Sequence, residues 1–75
     1  MTKCAVFISV QGLGIQQVER DIETLCPEIR EANVSLYRAA LNQAKRGADC
    51  EDRWLSYMYK MDIPYYERML ELLGA

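Results

Sequence analysis

Residues 4–14 run Cys4-Ala-Val-Phe-Ile-Ser-Val10 and then Gln11-Gly-Leu-Gly14, and this stretch decides the fold. The first seven residues are rich in β-branched and aromatic side chains that alternate between two faces, which is typical of a strand buried on at least one side. The glycine-rich segment after them is typical of a turn. The pattern therefore predicts a β-strand over residues 4–10, with an extended arm or a short helix as the alternative.

The apolar period changes after this turn. Five residues recur at helical spacing with polar residues between them: Ile15, Val18, Ile22, Leu25 and Cys26. They predict an amphipathic helix over residues 15–26. Pro27 ends this helix or opens the next one, because proline lacks a backbone donor. The second helix is expected to start at Pro27 or at an Asn33 N-cap and to end near Arg46, with Gly47 as a left-handed cap.

Two further helices are expected in the last third of the chain. Asp49 has the character of an N-cap for the third helix. The side chains expected to face the core from that helix are Cys50, Trp54, Tyr57, Met58 and Met61. Asp62-Ile-Pro64 is expected to break it, and a fourth helix follows over residues 64–73. The predicted fold is mainly α, with one N-terminal β-strand followed by three or four short amphipathic helices (β-α-α-α-α), in a single small domain of residues 1–75.

Composition limits the functions that such a domain can have. The chain has three cysteines at wide spacing and no histidine, which argues against a disulfide framework and a zinc site and fits a reducing cytoplasm. It has no phosphate-binding loop, nucleophile elbow or complete dinucleotide fingerprint. No segment approaches the roughly 20 apolar residues that span a bilayer. The sequence therefore predicts a cytoplasmic protein that is not an enzyme and needs no cofactor, metal or membrane.

A lone strand needs a partner for its backbone. Burying unpaired backbone donors and acceptors costs about 1–3 kcal/mol per group. The same strand of a second copy would pair with it and form a symmetric homodimer, or the sheet edge of another protein would accept it. The homodimer is favoured, with Val6, Ile8 and Val10 as the dimer-strand residues.

Aromatic residues gather in the C-terminal half. Trp54 and Tyr57 are expected in the core, whereas Leu55 and Tyr59 point away from that face and indicate a second contact surface. Acidic residues beside this surface favour a partner with a basic surface. The residues predicted to bind a partner are Leu55, Tyr59, Tyr65, Tyr66, Asp49, Glu51 and Asp52.

The positive charge is concentrated in the second helix. Residues 28–47 carry four basic against two acidic side chains. Arg38, Lys45 and Arg46 could contact phosphates there, although a solvated helix end also explains them.

Strand, helix and helix in this order, with a second helix that runs Asn33-Val-Ser-Leu-Tyr-Arg-Ala-Ala-Leu-Asn-Gln-Ala-Lys-Arg-Gly47, loosely resemble ribbon-helix-helix DNA-binding proteins. The resemblance covers residues 3–47. It implies a dimeric repressor or antitoxin whose paired strands enter the major groove, with residues 48–75 as an extension. The outward strand positions Ala5, Phe7 and Ser9 depart from the family, because they offer no basic side chain to read bases.

The sequence favours a small non-enzymatic protein-binding module, an inhibitor or adaptor that docks on another protein. Phage-encoded or mobile-element inhibitors of host defence or regulatory machinery fall in this size class. A dimeric ribbon-helix-helix-like repressor or antitoxin is the alternative, and nucleic acid is the less favoured partner.

Overall fold

The computed structural model describes residues 2–75 and has the element order β-β-α-α. Two antiparallel strands, β1 (Lys3–Val10) and β2 (Gly14–Asp21), form a hairpin. A short 3-10 turn over Ile22–Thr24 leads into two helices, α1 (Pro27–Gly47) and α2 (Arg53–Leu72). The strand predicted over residues 4–10 is confirmed, but the expected β-α-α-α-α architecture is wrong.

The segment expected as the first helix is the second strand of the hairpin. Val10 and Gly14 pair across a three-residue loop, in which the Leu13 N–H donates to the Val10 carbonyl over 3.0 Å. Gly12 and Gly14 both have positive φ, a conformation that glycine adopts without steric cost. The apolar period of residues 15–26 fits a helix, but a strand over residues 14–21 satisfies the backbone groups along one edge of β1.

The outer edge of β1, opposite β2, is bonded by side chains of α1. The Asn33 Oδ1 accepts the Phe7 N–H at 2.6 Å, and the Asn33 Nδ2 donates to the Phe7 carbonyl at 3.0 Å. One turn further along α1, the Tyr37 hydroxyl donates to the Ala5 carbonyl at 2.7 Å. Two side chains of a helix therefore take the place of a third strand.

The homodimer was expected to form through β1, but both edges of this strand are occupied at its centre, one by β2 and the other by side chains of α1. The three residues predicted to pair with a second copy pair within the chain: Val6 with Val18, Ile8 with Gln16 and Val10 with Gly14. Val6 is also fully buried. The strand partner of β1 is therefore β2, a segment that was expected to be a helix.

α1 begins at Pro27, so the Asn33 start is wrong. Proline suits the first helical turn, where its missing N–H has no intrahelical partner to lose. Asn33 lies inside the helix and is completely buried. Gly47 is helical rather than a left-handed cap. It lies beneath the ring of Tyr59, which a Cβ at this position would overlap.

α2 is one helix where two were expected. Asp52, rather than Asp49, is its N-cap: the carboxylate accepts the Trp54 N–H at 2.9 Å and the Leu55 N–H at 3.3 Å. Pro64 lies inside the helix, although proline in a helix interior costs about 3 kcal/mol. Packed side chains on both sides of the proline carry the helix through the predicted break. Gly74 follows α2 with positive φ and ends it, as expected.

The core is small and lies between the hairpin and the nearer end of the helix pair. Its buried apolar side chains come from β1, α1 and the second half of α2: Cys4, Val6, Tyr37, Met69, Leu70 and Leu73. The hairpin bonds to α2 at Tyr65 and Met69. The first half of α2 therefore extends beyond the core, and the molecule is elongated, with extents of 41 × 29 × 17 Å.

Replacing Asn33 by alanine should lower the free energy of unfolding by about 2–5 kcal/mol, because two backbone groups of Phe7 lose their partners. Asn42→Ala, on the exposed side of the same helix, is the matched control and should change it little. Urea denaturation followed by circular dichroism measures both. Equal stability of the two variants would contradict the role of Asn33.

Gly47→Ala should destabilise the protein by about 1–3 kcal/mol through overpacking against Tyr59. This outcome opposes helix propensity, which favours alanine over glycine by about 1 kcal/mol. Thermal unfolding of Gly47→Ala, Tyr59→Ala and the double variant tests the contact. The combined loss should be smaller than the sum of the two single losses, and strict additivity would show that the ring does not limit this position.

Candidate docking surface

A continuous apolar surface on α2 is exposed to solvent. It consists of side chains at positions i, i+3, i+4, i+7 and i+11, which fall on one side of a helix. We call the following set the α2 face: Trp54, Tyr57, Met58, Met61 and Tyr65. The exposed fractions run from 68% for Trp54 to 42% for Tyr65. The rings of Trp54 and Tyr57 stack on each other, with centroids 6.4 Å apart.

Four of these five side chains, Trp54, Tyr57, Met58 and Met61, were expected in the core, and that prediction is wrong. The fifth, Tyr65, was predicted to bind a partner. The side chains of α2 that turn inward, or are partly covered, form a different stripe: Tyr59, Ile63, Tyr66, Met69, Leu70 and Leu73. Both stripes have helical spacing, so periodicity cannot distinguish them. The covered stripe is the one that faces α1 and the hairpin. Its neighbour is left in solvent in the first half of the helix.

The predicted partner-binding residues divide into two groups. Leu55 and Tyr65 are exposed. Tyr59 and Tyr66 are partly covered, because one ring lies over Gly47 and the other packs against the core. The three predicted acidic residues are also exposed, and one of them serves the helix as its N-cap: Asp49, Glu51 and Asp52.

Tyr65 connects the α2 face to the hairpin. Its hydroxyl accepts a hydrogen bond from the Gln17 Nε2 at 3.1 Å. Its ring meets Tyr37 edge-on at 6.4 Å and Tyr66 at 5.7 Å. One end of the α2 face is thus held by packed aromatic rings. Near the Trp54 end, the helix is held by its N-cap and by a Ser56 Oγ bond to the Ala48 carbonyl.

An apolar groove of about 260 Å³ separates β2 from α1. It is lined by Phe7, Ile15, Leu36, Tyr37, Ala40 and Tyr66. Ile15 and Leu36 on its rim are 70% and 50% exposed. The groove is lined by none of the five side chains of the α2 face.

The basic residues lie away from the α2 face. Arg38, Lys45 and Arg46 are exposed on α1, and Lys45 and Arg46 occupy its last turn, where cations interact favourably with the helix dipole. Because residues 14–21 form a strand, residues 3–47 have the order strand-strand-helix rather than the strand-helix-helix order on which the ribbon-helix-helix resemblance was based. β1 pairs with β2 along one edge and bonds side chains of α1 along the other.

Within residues 2–75, neither helix is long and apolar enough to cross a membrane. The same residues contain no group of three or more cysteine, aspartate or glutamate side chains placed to hold a metal ion. A groove of about 590 Å³ is open and lies between β1 and the start of α1, and the residues that line it include Arg20 and Glu28. The α2 face is therefore the feature of the described residues that most needs an explanation.

Three protonated groups are stabilised by burial. Burial raises the pKa of Tyr37 and of Tyr66 above the ordinary value of 10.0, and it raises the pKa of the Cys4 thiol above 9.0. Because the folded state holds these protons more tightly than the unfolded chain, the stability they contribute is complete below pH 9 and falls as the pH rises beyond the ordinary values.

The melting temperature should therefore fall between about pH 9 and pH 11. Tyr37→Phe should be less stable at pH 8, because the Ala5 carbonyl loses its donor, yet its melting temperature should fall less steeply with pH. Tyr57→Phe, at an exposed position, is the control and should follow the wild type. Parallel profiles for wild type and Tyr37→Phe would rule out this linkage.

The sequence and fold were compared with known proteins. No protein-family model matches the chain, and no curated protein or solved structure matches it. The function of the α2 face therefore has to follow from its own side chains and their surroundings.

Proposed function

We propose that this chain is a non-enzymatic protein-binding module, an inhibitor or adaptor that docks on another protein through the α2 face. The observation that supports this most directly is the exposure of Trp54, Tyr57 and Met61 along one side of a helix whose other side is packed. Tryptophan, tyrosine and methionine are enriched at protein interfaces and are seldom left in solvent together.

The solvent-accessible surface area of the chain is larger than expected for a compact monomer, which supports an interface with a partner. The chain exposes 5672 Å², whereas a compact monomer of 8.7 kDa exposes about 4,700 Å². The excess of about 900 Å² is close to the roughly 800 Å² that each partner buries in a standard protein interface. The radius of gyration agrees, since it is 13.7 Å against about 11 Å for a compact chain of this length.

The charges around the α2 face favour a protein over a lipid surface. α2 carries three basic and three acidic side chains, so it lacks the excess of lysine and arginine with which amphipathic helices bind anionic membranes. Asp49 and Glu51 lie just before Trp54 and are exposed. A partner with an apolar groove and basic residues near one end of it is the best match.

The side chains of the α2 face suit an anchored contact. Trp54 is the most exposed member of the α2 face, at 68%, and its ring stacks on Tyr57, so the pair is already arranged before binding. Truncation of an aromatic residue that acts as a hot spot costs about 2 kcal/mol or more of binding energy. Met58 and Met61 lie beside them and adapt to an irregular partner surface.

The expected result of capture from a lysate, with the tagged chain and nuclease present, is one specific retained protein. With the purified pair, Trp54→Ala should weaken binding by a factor of about 30 or more, which corresponds to 2 kcal/mol. Leu36→Ala, a 50% exposed apolar residue on α1, is the matched control and should bind like the wild type. Calorimetric titration measures the dissociation constants.

The opposite pattern would overturn the proposal in favour of nucleic acid. In that case nuclease would remove the retained material, and moderate salt would weaken binding by orders of magnitude. Charge reversal at Arg38, Lys45 and Arg46 would then abolish binding, while Trp54→Ala would leave it unchanged.

A further inference from the structure

The two strands of the hairpin have unequal outer edges. Phe7 and Ala5 direct backbone groups outward to α1. In an antiparallel ladder, the residues opposite them also point away from the shared side. The partners of Phe7 and Ala5 are Gln17 and Glu19. Their N–H and carbonyl groups, and those of Ile15 two residues earlier, therefore lie along the outer edge of β2.

No element of residues 2–75 pairs with this edge of β2. Side chains from α1 seal β1, but the residues of β2 are mostly exposed, and only Val18 and Asp21 are partly covered. Proteins usually protect such an edge with charges, proline or a bulge. Here charges protect only the far end, at residues 19–21, and the span Gly14–Val18 has neither charge nor proline.

We propose that β2 of a second copy pairs with this edge in the antiparallel direction. The two hairpins then form one continuous four-stranded sheet across a two-fold axis near Gln17. The homodimer is built on β2, because α1 already occupies the outer edge of β1.

Charge selects the antiparallel direction. A parallel pair in register would bring Glu19, Arg20 and Asp21 against the same charges of the second copy, and like charges directly opposite each other are destabilising. An antiparallel pair centred on Gln17 places Glu19 opposite Ile15 of the second copy. The charged ends then lie at opposite ends of the ribbon, each beside uncharged residues.

The same arrangement covers an exposed apolar side chain near the turn. Ile15 is 70% exposed, and in the antiparallel pair it lies opposite Glu19 of the second copy, whose methylene groups can cover it. The pairing uses backbone groups of β2 and does not involve the side chains of Trp54, Tyr57, Met58 and Met61. The dimer therefore displays two docking surfaces, which strengthens binding to a partner that offers two sites.

Sedimentation equilibrium over a concentration series tests the dimer with the full chain. Gln17→Pro removes one outward N–H and no hydrogen bond between β1 and β2, because the backbone groups of Gln17 point away from β1; it also removes the side-chain bond to Tyr65. It should weaken dimerisation at least tenfold, and so should Ile15→Lys, which keeps the backbone donor and adds a charge. Trp54→Ala is the control and should dimerise like the wild type. Circular dichroism shows whether each variant remains folded.

Amide hydrogen exchange gives a residue-level result that does not depend on a variant. On dimerisation, exchange should slow at the amides of Ile15, Gln17 and Glu19, while those of Gln16 and Val18 should change little. A wild-type chain that remains monomeric at millimolar concentration would overturn the proposal. So would a dimer that survives both β2 variants but is lost in Trp54→Ala, because its interface would then be the α2 face.

Discussion

The fold depends on the two hydrogen bonds between the carboxamide of Asn33 and the backbone of Phe7. A carboxamide has the same donor and acceptor arrangement as a peptide group, so one side chain can satisfy both polar groups of an edge-strand residue. Because Asn33 is completely buried, solvent cannot replace these bonds, and their loss would leave two backbone groups without partners. They set the position of β1 against α1, and Tyr37 extends the same contact by one helical turn.

This contact also determines which surfaces are left exposed. It places the hairpin over the first half of α1 and the second half of α2, where the core forms. The other end of the helix pair has no sheet above it, and the α2 face lies there. Because the helix seals β1 rather than β2, the open edge of the sheet belongs to β2. The proposed docking surface and the proposed dimer edge are thus two consequences of one packing arrangement.

Several elements could be predicted from local sequence, and others could not. The alternation over residues 4–10, Pro27 at a helix start and Gly74 at a helix stop carry local signals, and the structure agrees with each of them. The apolar residues of 15–26 fit a helix and fit a strand followed by a turn equally well. The helix prediction failed because β1 needs a strand partner, and this requirement outweighs the periodicity. The Gln11-Gly-Leu-Gly14 turn was the available signal, since two glycines after a strand are typical of a hairpin. Pro64 predicted a helix break, but α2 continues through it, because tertiary packing outweighs the local cost of one proline.

By itself, the sequence determined the locally encoded features: one buried strand, a helix that starts at proline, an aromatic-rich C-terminal half and the absence of histidine chemistry. Only the tertiary structure decided which aromatic residues face solvent. α2 carries two apolar stripes at the same helical period, and a period records spacing but not direction. The side that is covered depends on where the hairpin lies, and that position is set by hydrogen bonds between residues 26 positions apart. Trp54 is therefore exposed for a reason that no local pattern around it contains.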